Sequence, residues 1–219
     1  MSESDRHFAN RTLDEFTADL AAKTSVPGGG AAAGSMLAHA AGLGGMVIAF
    51  SHGKKKFVDF ESDLAEAAGR LERIRDESLE LADLDAQGFK ALADLWPLAE
   101  DDPVRVQAWP AAVHGALAAP HQLVLRAAET VRIIERLVGR SSTLLRSDLA
   151  IAGRLAGFAA EAAGWNVDMN LSSLRGLDDG APLAIAMETK THEAIRAAIT
   201  GAAAIDAACR AGGRATISS

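Results

Sequence analysis

The chain has 219 residues, 49% hydrophobic and 23% charged, with a formal charge of −7. That is the composition of a folded globular chain, not a disordered one, and the acidic balance excludes nucleic acid as the main partner, since phosphate binding wants a basic face. A single cysteine, Cys209, rules out an internal disulfide and suits a reducing compartment. The opening "MSESDRHFANRTLDEF" has no basic stretch followed by an apolar core, so no signal peptide is expected and a cytoplasmic location is.

Tyrosine is absent, alanine is abundant, and no run alternates with period two, so the expected fold is all-α. Thr12 to Thr24 reads as a first helix, with Leu13, Phe16, Leu20 and Ala21 on one face, broken by Pro27 and three glycines. Ala31 to Phe50 reads as a second helix, rich in alanine and glycine. A long third pattern runs from Phe57 to Leu95 and is stopped by Pro97. Val104 to Ala119 reads as a short helix disturbed by Pro110, and Pro120 opens another that ends near Gly139. Ser147 and Asp148 open the next, to about Gly164. "GWNVDMNLSSLRGLDDGAP" reads as an interruption, and Leu183 to Ala211 as a last helix closed by Gly212 and Gly213. No repeat or linker divides the chain, so 1–219 is expected to be a single-domain helical bundle.

From Ser25 to Ser51 there is no Asp, Glu, Lys or Arg. The run is long enough to cross a bilayer, but a lipid-facing helix needs leucine and isoleucine where this one has glycine and alanine. Small residues at Ala31, Gly34, Ser35, Ala38, Ala41, Gly42 and Gly45 let backbones approach closely. A central helix buried on all sides, across a dimer interface, is expected in place of a membrane span. Its glycines lack the G-x-x-x-x-G-K-[ST] pattern of a nucleotide loop. They leave a helix N-terminus with accessible N–H groups, suited to an anion or to a polar ligand edge.

In the third helix a four-three spacing runs Phe60, Leu64, Ala67, Leu71, Ile74, Ser78, Leu81, Asp85, Gly88, Leu92, Leu95. This is the apolar stripe of a buried helix, and Asp85 breaks it. A carboxylate there is either held by a buried partner or left in a cleft, where burial raises its pKa and prepares it for proton transfer. Gly88 is expected to leave room for a ligand beside it, and Asp83 to be solvated. The "GKKKF" lysines are a solvated run or the collectors of an acidic ligand. Arg105 is able to pair with a carboxylate. His39, His52 and His114 read as core or surface residues, and no cluster has metal-ligand spacing. Asn166 and Asn170, four apart, share one helix face.

Taken together, "PGGGAAAGSMLAHAAGLGGMV", "HGKKKF", "ADLDAQGF", "RSDLAIA" and "WNVDMNL", in this order, resemble the cyclodeaminase/cyclohydrolase family of tetrahydrofolate enzymes. The resemblance runs from about Leu13 to Ala207. It implies an all-helical homodimer that binds a tetrahydrofolate substrate near the dimer interface, with no metal and no separate cofactor. It puts the catalytic aspartate on Asp85 and the glycine loop on Gly28, Gly29 and Gly30. The family's basic residues fall on Lys54, Lys55 and Arg105, its serine–aspartate pair on Ser147 and Asp148, and its asparagines on Asn166 and Asn170. Ala31, Phe57, Leu98, Pro110 and Ser142 stand where polar residues are usual, each removing a polar group near the expected cleft. The implied activity is methenyltetrahydrofolate cyclohydrolase, preferred because no formiminotransferase segment is fused to it. The alternatives are formimidoyltetrahydrofolate cyclodeaminase and a folate-binding or helical interaction protein without catalysis.

Overall fold

The computed structural model describes residues 7–215, with side chains to residue 212, and among them every regular element is helical. Six α-helices follow in order: α1 Leu13–Leu20, α2 Gly29–Ala49, α3 Glu61–Ala93, α4 Pro103–Leu137, α5 Arg146–Arg175 and α6 Gly180–Ala215. Short 3-10 turns precede α1, α3 and α5. Thr12 opens α1 with a capping box, its side chain accepting from the Glu15 N–H while Glu15 reaches back to the Thr12 N–H.

Two breaks expected from the sequence are absent. Pro110 and Pro120 both lie inside α4, which runs unbroken from Pro103 to Leu137. An interior proline costs about 3 kcal/mol, but Val113, Leu117, Leu123, Val124, Val131 and Ile134 are buried along this helix and hold it in line. The segment from Gly164 likewise continues α5 to Arg175, because Val167, Leu171 and Leu174 recur at helical spacing and bury against Leu92, Val113 and Leu117. Gly164 is a packing site: a Cβ there would stand 2.4 Å from Ile195 Cδ1 of α6.

Helix α2 packs against α3 and α5, while α4 packs on α3, α5 and α6. The main core joins Leu37, Val47 and Ile48 of α2 to Leu64, Leu71 and Ile74 of α3, Ile134 of α4 and Ile205 of α6. Within the chain α2 is buried on one side only. Gly30, Ala31, Ala33, Gly34, Leu37, Ala41 and Gly44 are covered, but His39, Gly42, Ala49 and Phe50 are exposed, and a Cβ on Gly42 or Gly45 would meet nothing within 4 Å. Among the described residues α2 alone is long and apolar enough to cross a membrane, and more than half of that window is buried against its neighbours.

The contacts also fix direction. Gly30 meets Asp85, Gly34 meets Ser78 and Ala82, and Gly44 meets Leu71, so α2 and α3 run antiparallel. Asn166 lies beside Gly29, and the Ser142 N–H donates to Ser51 Oγ at 2.8 Å, so α5 also runs antiparallel to α2.

Candidate active site

Asp85 lies where the N-terminus of α2 meets α3. A Cβ at residue 30 would fall 1.9 Å from Asp85 Oδ2 and 2.3 Å from its Cγ, so only glycine admits the carboxylate. That requirement explains Gly30 in the glycine run. No described residue hydrogen-bonds to or pairs with this carboxylate, and burial pushes its pKa from the ordinary 3.8 up to about 6. Of the two readings open from the sequence, the one with a buried partner is therefore the one the geometry disfavours.

Gly28 caps α2 in an extended conformation with no side-chain hydrogen bond, and the first helical bond runs from the Ala32 N–H to the Gly28 carbonyl. The N–H groups of Gly29, Gly30 and Ala31 are thus the free donors of a helix start, beside Asp85. Helix α5 brings a further donor. The Asn166 amide stands about 4 Å from where a Gly29 Cβ would sit, and its Nδ2 is buried without a partner. Asn170 Nδ2 donates to the Asn166 carbonyl at 2.9 Å and to the Ala116 carbonyl at 3.4 Å, tying α5 to α4. A carboxyl able to carry a proton near neutral pH thus faces a helix start and an unsatisfied amide. This arrangement can hold a polar ligand edge and move a proton beside it.

Two expectations for α3 are corrected here. Gly88 leaves no room for a ligand: it is buried, and a Cβ there would lie 2.6 Å from the Gly115 carbonyl oxygen of α4. It is the contact at which α3 and α4 backbones touch. Asp83 is not solvated but 7% exposed; it accepts from the Phe8 N–H at 3.0 Å and pairs with His7 Nδ1 at 2.8 Å. Phe8 then packs edge-on against Phe16, in a cluster with Ala31 and Ala82, which covers the α2–α3 seam next to the glycine loop. Nothing in the local pattern of α3 signals this, because the partner lies 75 residues away.

The remaining candidates are not gathered at Asp85. Arg105 donates to the Leu98 carbonyl at 2.7 Å and lies 4.7 Å over the Trp109 ring, in a groove with His114 and Ser173 about 15 Å along α4 from Gly115. Lys54 and Lys55 are exposed beyond the C-terminus of α2, and that helix of 21 residues is about 30 Å long. Ser147 and Asp148 open α5, about 28 Å from Asn166 at 1.5 Å per residue. The chain thus carries Gly28, Gly29, Gly30, Asp85, Asn166 and Asn170 at one end, and Lys54, Lys55, Ser147 and Asp148 at the other. The expected losses of polar groups are scattered too. Ala31 packs with Phe8 and Phe16, while Phe57 is buried and Ser142 bonds to Ser51 at the lysine end.

Comparison with known proteins agrees with this architecture. The family model described as Formiminotransferase-cyclodeaminase matches residues 12–188. The chain is 24% identical over 176 residues to a formimidoyltransferase-cyclodeaminase of Gallus gallus, covering 78% of this chain and 32% of that protein. It therefore spans about a third of that relative's length. It is 28% identical over 176 residues to a methenyltetrahydrofolate cyclohydrolase of Methylorubrum extorquens, covering 78% of this chain and 83% of that one. The crystal structure of a formiminotetrahydrofolate cyclodeaminase of Thermotoga maritima has the same fold, with a TM-score of 0.80 at 21% identity over 90% of this chain and 96% of that one.

Proposed function

The chain belongs to the formiminotransferase-cyclodeaminase family, and on that premise we propose that it is a methenyltetrahydrofolate cyclohydrolase with Asp85 as its general acid–base group. The observation that carries this reading is an unpartnered carboxyl with its pKa near 6, set against an uncapped helix start. Ionised Asp85 takes a proton from water as the oxygen adds to the methenyl carbon between N5 and N10 of the folate. The carbon becomes tetrahedral and carries a hydroxyl. Asp85 then returns its proton to N5 as the N5–carbon bond breaks, the hydroxyl proton leaves to solvent, and the formyl group stays on N10. The net change is one water consumed and one proton released. The free N–H groups at Gly29 and Gly30 and the Asn166 amide donate to the oxygen as it gains negative character.

The rival reading is the cyclodeaminase, in which N10 attacks a formimidoyl carbon on N5 and ammonia leaves. Relatives of that name support it, and the same carboxyl serves it. The cyclohydrolase is preferred because the relative of that name is 28% identical, against 21–24% for those named cyclodeaminase. Turnover measured separately with methenyl- and formimidoyl-tetrahydrofolate decides between them. Hydrolysis of the first without ammonia release from the second is the expected result. Binding of both without turnover would make the chain a folate-binding protein. We further propose that the chain acts as one helical domain, as a homodimer, in the cytoplasm, with no separate cofactor.

A further inference from the structure

The walls of the Asp85 crevice are held from outside by a part of the chain that the proton chemistry does not use. Residues 7–20 add nothing to the main core, none of whose buried side chains comes from them. They attach through a separate small cluster, in which Phe8 and Phe16 close on Ala31 and Ala82, with Leu20 and Ala86 packed against it. Phe16 is the one buried residue of α1, so that helix depends on the same cluster.

Those contacts fall on both sides of the reacting carboxyl. Ala31 lies in the first turn of α2, directly after Gly30, whose missing side chain admits Asp85. Ala82 and Ala86 stand on α3, one turn before Asp85 and one residue after it. Two hydrogen bonds fasten the segment to α3 at the same level. Asp83 is buried; its Oδ1 accepts from the Phe8 N–H at 3.0 Å, and its Oδ2 meets His7 Nδ1 at 2.8 Å. The Arg11 guanidinium lies 5.3 Å over the Phe8 ring and pairs with Asp19, which ties the segment to α1.

We infer that residues 7–11, fastened by Asp83, are a positioning strap: they press the start of α2 onto α3 and keep water out of the Asp85 crevice. The inference rests on the reading of Asp85 as proton carrier, and adds what sets its affinity for the proton. The charged groups around it are otherwise occupied. His7 is taken by Asp83, Arg11 by Asp19 and Lys90 by Asp94. On α5, Asp168 pairs with His192 of α6, and on α4, His114 lines the Arg105 groove. The only titratable residue of α2 is His39, exposed and bonded to the Ser35 carbonyl. Burial is thus what raises the Asp85 carboxyl to about 6, and whatever admits water lowers it toward 3.8.

The test follows the carboxyl itself, by carbon NMR of protein labelled at the aspartate carboxyls, with Asp85→Asn to assign the signal. The wild type is expected to titrate near pH 6. Phe8→Ala removes the anchor of the strap and leaves every charge in place. Its Asp85 midpoint is expected to fall by about one unit, well within the range that solvation commands. Asp83→Ala is expected to do the same. Asp83→Asn, which keeps an oxygen for the Phe8 N–H, is expected to hold the wild-type midpoint. The main core is untouched by these changes, and circular dichroism checks that helix content is kept. The acid limb of kcat/KM for methenyltetrahydrofolate should move with the midpoint in each variant. A wild-type midpoint near the ordinary 3.8 overturns the inference, as does a folded Phe8→Ala protein that still titrates near 6. Equal shifts in Asp83→Asn and Asp83→Ala overturn the fastening by Asp83, since its charge would then set the value. If the wild-type protein turns over neither folate, the catalytic reading has failed and the NMR midpoints alone decide the strap.

Discussion

Asp85 and Asp83 sit two residues apart on one helix, and their surroundings give them opposite properties. Asp85 has no partner and its pKa is raised to about 6 by burial. A carboxyl whose folded pKa exceeds its unfolded value weakens folding as pH rises from near 4 to near 6, because the unfolded chain ionises it freely and the folded one does not. The cost levels off above that window at up to roughly 3 kcal/mol, from about two pK units. Asp85→Asn removes it. The variant is expected to melt above the wild type at pH 8, with the difference shrinking as pH approaches 4, in thermal unfolding across that range. Asp83, in contrast, has partners: it is buried, accepts from the Phe8 N–H and meets His7 Nδ1. Asp83→Ala leaves that N–H unsatisfied, so a loss of about 1–3 kcal/mol is expected in chemical denaturation. The sequence reveals Asp85 because it interrupts an apolar stripe. It does not reveal Asp83's role, because a hydrogen bond to a distant segment leaves no mark on local periodicity.

At the scale of helices, glycines set the register that brings Asp85 to the start of α2. Gly30 and Gly34 let α2 close on α3, and Gly88 lets α3 touch α4 at Gly115. Gly88→Ala would press its methyl onto backbone that has no free rotation to yield, so a destabilisation of about 1–3 kcal/mol is expected, the usual scale of overpacking. Gly42→Ala serves as the comparison: nothing lies within 4 Å of it in the subunit. A dimer held closely through α2 would turn that neutral change into a loss of association, visible in sedimentation. The all-helical class was legible from composition and periodicity. The continuity of α4 through two prolines was not, since it depends on buried residues of neighbouring helices outweighing a local cost.

For the whole molecule, the distances along α2 and α5 matter more than any single contact. The sequence order of the motifs does not reveal that α2, about 30 Å long, sets Asp85 and the glycine loop at one end and Lys54 and Lys55 at the other. Phe158, exposed at the middle of α5, is the residue whose change to Glu is expected to convert the proposed homodimer to monomer in sedimentation without loss of helix content. The central claim, that Asp85 carries the proton in a folate reaction, is tested most directly by the pH dependence of kcat/KM for methenyltetrahydrofolate hydrolysis in wild type and Asp85→Asn. The account predicts a wild-type rate that rises through a limb near pH 6, as the carboxyl ionises, and a folded variant that lacks the limb and is slower by about 100-fold or more. A folded Asp85→Asn protein with the wild-type rate and the same limb would contradict it.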